Sequence, residues 1–120
     1  SWISWQALLG HCSEIKHSIL LPKAKAPHFN YVGDSVVGSD ANLGAGVILS
    51  NLRNDGNQVI LRVGKSIIPS GLRKFGALVG DGVQIGCNSV TNPGTILGTN
   101  CMVYPTTSIS GVHTSDTVLR

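Results

Sequence analysis

The stretch Val79-Gly80-Asp81-Gly82-Val83-Gln84-Ile85-Gly86-Cys87-Asn88-Ser89-Val90-Thr91 puts a branched residue at every sixth position: Val79, Ile85 and Thr91. That series continues through Leu97, Val103 and Ile109, and Gly follows three of its members, at Gly80, Gly86 and Gly98. A second series stands four places after the first and reads Val83, Ser89, Thr95, Cys101 and Thr107, nearly all small. Upstream the same relation gives Val37-Gly38, Leu43-Gly44 and Leu49-Ser50, with Ala41 and Val47 in the small position. An amphipathic helix repeats near 3.6 residues and a half-buried strand at 2, so a period of six belongs to a solenoid.

The physical logic of such a repeat is a short strand that points one large and one small residue inward. Gly or Asn then lets the backbone turn a corner at φ > 0. Three sides close a triangular coil of about 18 residues, which parallel hydrogen bonds and like-on-like packing stack on its neighbours. The expected fold is all-β, a single-stranded parallel β-helix forming one domain over residues 1–120. Two stretches break the period. From Asn51 to about Leu78, Asn54-Asp55-Gly56, Gly64-Lys65 and Pro69-Ser70-Gly71 supply turn chemistry, which predicts a loop extruded from the solenoid. Residues 1 to about 10 read either as a cap, with Trp2 and Trp5 covering the open end, or as a truncated coil.

Composition agrees. Of 120 residues 42% are apolar, only 5% aromatic and 12% charged, while Gly numbers 15, so small and branched side chains must fill the interior. The net charge of +3 comes with no basic run interleaved with aromatics, which argues against nucleic acid as a partner and fits a phosphorylated small ligand better. Cys12, Cys87 and Cys101 are odd in number and lack CxxC spacing, as expected of a reducing, cytoplasmic setting. The opening Ser1 to Leu9 has no basic n-region and is too short to span a bilayer, so neither a signal peptide nor a membrane anchor is expected. The lack of an initiator Met fits a fragment or a processed end.

The segment Lys25-Ala26-Pro27-His28-Phe29-Asn30-Tyr31-Val32-Gly33-Asp34, then Asn42-Leu43-Gly44-Ala45-Gly46 and Asn51, closely resembles a known signature. It is that of the N-acetylglucosamine-1-phosphate uridyltransferase / glucosamine-1-phosphate acetyltransferase family. The resemblance reaches upstream to Glu14-Ile15-Lys16 and resumes on the repeat from Val79 to Thr107. It implies the left-handed sense of the β-helix and direct transfer of acetyl from acetyl-CoA to the amine of glucosamine 1-phosphate. His28 would be the general base, a task that suits an imidazole whose ordinary pKa lies near the working pH. Lys16 would meet the sugar phosphate, and Tyr31 and Asn42 the sugar. The Ala45 N–H would face the thioester oxygen, and Asn51, Cys87 and Pro105 would join it on the acetyl-CoA side. No metal is implied. A homotrimer with acceptor sites between subunits is what the family implies, and a C3 interface would cover flat sides of the solenoid.

The sequence departs from the family pattern in several places. Cys87 stands where the family has a Ser, Pro105 where it has an Ala, Leu52 for a Tyr and Asn57 for a Lys, and a phosphate-binding Arg would fall before Ser1. No Gly-rich phosphate loop of nucleotidyltransferase type is present. The segment Ser70 to Gly76 looks more like related two-domain sugar-1-phosphate nucleotidyltransferases, and Arg73 and Lys74 would meet a CoA phosphate or form a solvated tip. On the residues alone, Asn42 and Asn51 also suit left-handed corners or a stacked amide ladder, Lys16 a solvated charge and Tyr31 half-buried packing. Two other functions compete. One is a non-catalytic trimerising or regulatory tail of a sugar-1-phosphate nucleotidyltransferase. The other is a zinc carbonic anhydrase drawing on His11, His17, His28 and His113, for which the required close His pair is missing.

Overall fold

A computed structural model describes residues 1–120. All regular structure is strand, and the chain winds as a left-handed β-helix with three parallel faces. The first face stacks Trp2–Ile3, Ile19–Leu20, Val36–Val37, Ala77–Val79, Thr95–Leu97 and Val112–His113. The second stacks Leu8–His11, Lys25–His28, Asn42–Leu43, Gln84–Ile85, Met102–Val103 and Val118–Leu119. The third stacks Glu14–Lys16, Tyr31–Gly33, Ile48–Leu49, Val90–Thr91 and Ser108–Ile109. Residues 1–10 make up coil rather than a lid: Trp2 pairs with Ile19, Leu8 pairs with Lys25, and both Trp2 and Trp5 stay about two-thirds exposed.

The inward ladders are those the six-residue period marks. Leu20, Val37, Val79 and Leu97 line one side of the core, Leu43, Ile85 and Val103 the next, and Val32, Leu49, Thr91 and Ile109 the third, all buried. The coil, however, is not uniform. Partners lie 17 residues apart in the early coils, as with Ile19 and Val36, then 18 apart, as with Gln84 and Met102, and 16 apart at the end, as with Ile96 and Val112. In the early coils the shortening falls at the edge between the third and first faces. Asp34 turns the chain two places after the inward Val32, whereas Phe29 does so three places after Ala26.

The repeat Gly does not itself turn the corner. Positive φ falls further along, at Gly46 and Gly82 but also at Lys23, Phe29, Asp40, Asn88, Asn100 and Thr106. The Gly instead admits the next coil. A Cβ at Gly86 would lie 2.5 Å from the Pro105 nitrogen, and one at Gly80 would lie 2.8 Å from the Leu97 carbonyl oxygen. The left-handed cost to residues such as Phe29 and Lys23 is met by the bonds their N–H groups donate one coil down, to His11 and Trp5 respectively.

The expected loop is a structured arm. It leaves after Asn51 and pairs Ile60–Val63 with Ser66–Pro69 as an antiparallel hairpin closed by Gly64-Lys65, with Gly64 at φ 60°. Its stem is drawn shut by the Leu52–Lys74 bridge and by the Phe75 N–H donating to the Asn51 carbonyl at 3.0 Å. The arm therefore ends earlier than the turn residues indicate, because Ala77 and Leu78 already pair with the first face, Leu78 opposite Val36. The arm lies back on the third-to-first edge, where Gly94 leaves room: a Cβ there would sit 2.7 Å from the Ile60 carbonyl oxygen.

One polar clasp ties three successive coils at that same edge. Lys16 Nζ lies 3.0 Å from Asp34 Oδ2, and Asn51 Nδ2 donates to the same oxygen at 2.6 Å. His17 Nδ1 stands 3.5 Å from Asp34 Oδ1. Burial pushes the Asp34 carboxyl up, but the Asn51 amide and the Lys16 ammonium, with a smaller contribution from His17, outweigh it and hold the group below its ordinary 3.8.

Two stability predictions follow from these contacts. Thr91 Oγ1 is buried in an apolar ladder with no hydrogen-bond partner. Thr91→Val is therefore expected to stabilise the fold by about 1 kcal/mol, read as a higher urea midpoint at unchanged slope. Because the folded Asp34 value is depressed, its contribution is complete above the unfolded value of 3.8 and is lost as pH falls through the folded one. Urea unfolding from neutral to acid pH should show the stability gap between wild type and Asp34→Asn closing below about pH 4. A gap independent of pH would contradict the clasp.

Candidate active site

The edge between the second and third faces gathers four of the residues singled out in the sequence. Its corners run His11-Cys12, His28-Phe29, Ala45-Gly46, Cys87-Asn88 and Pro105-Thr106 on successive coils. Backbone bonds of 2.9–3.0 Å string them together: the Phe29, Gly46, Asn88 and Thr106 N–H groups donate to the carbonyls of His11, His28, Ala45 and Cys87. His28, Ala45, Cys87 and Pro105 thus form one column rising about 4.8 Å per coil. His28 is exposed at the end of its strand, and its imidazole makes no hydrogen bond within the chain.

What fixes the His28 corner is Asn30, a residue the sequence reading passed over. Asn30 is buried, its Oδ1 accepts the His28 N–H at 3.1 Å, and its Nδ2 donates to the Gly44 and Val47 carbonyls at 2.9 and 3.3 Å. One coil on, the place of Asn30 is taken by Val47, which offers no acceptor. The Ala45 N–H is consequently left without a partner in the chain, on a half-exposed corner between Gly44 and Gly46. An N–H so placed can receive an external acceptor such as a carbonyl oxygen. The column's small corners and this free donor leave the edge open to an extended ligand.

The third face gathers a second group. Tyr31 folds its ring over Gly33, where a Cβ would stand 2.7 Å from the phenol oxygen and 2.6 Å from Asn51 Nδ2. Lys16, opposite Gly33 in the ladder, completes the cluster through Asp34. Lys16, Tyr31 and Asn51 therefore converge. His28 precedes Tyr31 by three residues, a span of at most about 10 Å. Asn42 joins neither group: it lies on the second face, between Lys25 and Gln84. Asn42 and Asn51 both lie outside the left-handed corners. Arg73 and Lys74 sit exposed at the stem of the arm, beside Asn51 rather than on the His28 column. Asp34, the hub of the cluster, was visible in the sequence only as part of a motif. Its spacing of 18 residues from Lys16 and 17 from Asn51 is one coil in each direction and is the signal that identifies it.

Comparison with known proteins places the chain. No protein-family model matches it. It is 44% identical over 101 residues to the bifunctional protein GlmU of Methanococcus vannielii, covering 79% of this chain and 24% of that protein. It is 41% identical over 97 residues to a bifunctional sugar-1-phosphate nucleotidylyltransferase/acetyltransferase of Sulfurisphaera tokodaii, covering 81% of this chain and 24% of that one. The chain thus spans about a quarter of the length of these relatives. Among solved structures, a serine acetyltransferase of Neisseria gonorrhoeae superposes with a TM-score of 0.53 at 18% identity, over 89% of this chain and 36% of that one, which shows the fold alone. With its repeat and coil geometry in view, the chain belongs to the hexapeptide-repeat, left-handed β-helix part of the bifunctional sugar-1-phosphate nucleotidyltransferase/acetyltransferase family.

Proposed function

We propose that this chain is the N-acetyltransferase part of such an enzyme, moving acetyl from acetyl-CoA to the amine of an amino-sugar 1-phosphate, glucosamine 1-phosphate. The observation that carries the reading is the column of His28, Ala45, Cys87 and Pro105 along one edge, with the Ala45 N–H unpaired beside the exposed imidazole. The name of the Sulfurisphaera tokodaii relative, which couples sugar-1-phosphate nucleotidyl transfer with acetyl transfer, supports it.

Acetyl-CoA supplies an acetyl group already activated as a thioester. His28 takes the proton that the attacking amine must lose as its nitrogen bonds to the carbonyl carbon; the carbon–sulfur bond then breaks, and the proton held on His28 passes to the leaving sulfur, which departs as the thiol. The Ala45 N–H faces the oxygen on which charge gathers. Lys16 draws the sugar phosphate to the third face, where Tyr31 hydrogen-bonds the sugar and aims its amine toward the His28 edge. Asn51, which the resemblance assigns to the acetyl side, stands in the third-face group beside Lys16 and Tyr31. Asn42 lies across the edge on another face, so a site that uses it together with Tyr31 is completed by a neighbouring copy, in keeping with a homotrimer. The three unpaired cysteines suit a reducing, cytoplasmic setting.

The departures at Cys87 and Pro105 favour a second reading, a non-catalytic tail that trimerises or regulates an attached nucleotidyltransferase. Thiol release with acetyl-CoA and glucosamine 1-phosphate separates the two. His28→Ala is expected to lower kcat by about 10²–10⁴-fold with the melting temperature unchanged, since the ring makes no bond that holds the fold. Full activity in that variant would remove His28 as the base. Failure of the wild type to bind acetyl-CoA, with its assembly intact, would favour the tail.

A further inference from the structure

We propose that Asp34 is a positioning residue for the acceptor half of this site. It holds the Lys16 ammonium and the Asn51 amide, from the coils on either side of its own, in one fixed orientation toward the ligand. This rests on the acetyltransferase reading for its ligand, but the arrangement is written in the side chains themselves.

A carboxylate has only acceptors to offer. Asn51 must therefore turn its NH₂ group to Asp34, 2.6 Å away, which settles the orientation of the amide and leaves its Oδ1 directed elsewhere as a free acceptor. Lys16 has three N–H donors and spends one on Asp34 at 3.0 Å, leaving two for phosphate oxygens. Asp34 Oδ2 serves both partners while Oδ1 faces His17 at 3.5 Å, so the hydrogen bonds this carboxylate makes are to the protein's own side chains. Its side chain is 17% exposed and that of Lys16 30%, so Asp34 is the more enclosed of the pair.

The charge balance also points to geometry as the purpose. A carboxylate beside Lys16 weakens the attraction of that lysine for a phosphate dianion, so Asp34 does not serve as an electrostatic aid to binding. It does remove most of the freedom of a long, flexible side chain before the ligand arrives, and that ordering no longer has to occur on binding. Gly33 belongs to the same device, since its missing Cβ lets the Tyr31 phenol and the Asn51 amide close over the backbone next to Asp34.

Kinetics and a spectroscopic signal test this on the full chain. Asp34→Asn and Lys16→Ala are each expected to raise the KM for glucosamine 1-phosphate about tenfold with kcat changed less than about threefold, and the double variant to lie within about threefold of either single one. An acceptor KM that is unchanged or lower in Asp34→Asn overturns the proposal, as do two effects that multiply to about a hundredfold in the double variant, or a fall in kcat alone that follows loss of folded protein. Asp34→Glu keeps the charge while displacing the carboxylate, and takes the place of the Asn variant if that one does not fold. Its acceptor KM should rise about threefold, and an unchanged value overturns the proposal in the same way.

A second readout is independent of activity. In protein labelled with ¹⁵N-lysine, a slowly exchanging ammonium resonance is expected in the wild type, absent in Lys16→Ala and lost in Asp34→Asn. If the wild type transfers no acetyl, the functional reading fails by itself while this signal still decides for Asp34. A wild type without the resonance, or its persistence in Asp34→Asn, overturns the positioning role.

Discussion

The bond on which the whole molecule depends is the one a corner N–H donates to the carbonyl one coil below. It recurs along the edges of the helix, for example from Phe29 to His11, Gly46 to His28 and Asn88 to Ala45. With no helix and no sheet-on-sheet sandwich, each coil has only its neighbours to pair with, and its inward residues must sit over the same type of residue above and below. Any change in coil length must then be absorbed within a single coil. The molecule does so at one edge, where Asp34 and His17 make shorter corners than Phe29 and Lys23. The column of corners from His28 to Pro105 and the polar clasp both derive from this stacking, because it turns sequence separations of one coil into direct contact.

Much of this was legible in the sequence, for an identifiable reason. The six-residue period reports inward packing, and packing is what the β-helix selects most strictly, so Leu43, Ile85, Leu97 and Ile109 are buried as the period requires. Thr91 keeps the period in shape but not in polarity, and its stranded hydroxyl marks the difference between matching a pattern and satisfying a core. The corners were harder to read. Backbone bonds enforce their left-handed residues more than residue type does, so Lys23, Phe29 and Thr106 carry no sequence signal comparable to Gly or Asn. The arm was visible through its turns, but its hairpin register and its end at the first face depend on pairing with Val36 across a separation of 42 residues, which local composition does not encode.

The site divides along similar lines. His28, Lys16, Tyr31 and Asn42 were given roles through a resemblance, whereas Asp34 and Asn30 lay in the same motif without a role and gain one only through what they hold. Asn30 shows why. Buried and fully bonded, it shapes the His28 corner through the backbone, and the step from Asn30 to Val47 on the next coil frees the Ala45 N–H. The change from Asn30 to Val47 thus accompanies the change from a corner whose N–H is bonded to one whose N–H is open. No residue-by-residue reading of chemistry would single out a valine for that effect.

The stem of the arm has a consequence for how such proteins diversify. The chain departs at Asn51 and resumes at Gly76, whose N–H donates to the Asp34 carbonyl at 2.9 Å, so the solenoid closes over the departure as if nothing had been inserted. Because the stem is pinched shut, the interior of the arm can lengthen, shorten or change its tip at only the slowly growing entropy of closing a larger loop, without disturbing the coils. The edge thereby behaves as a mounting point. New surface can be trialled on the arm while the coils beneath it stay under unaltered selection, which separates the rate at which the arm can drift from the rate at which the fold can.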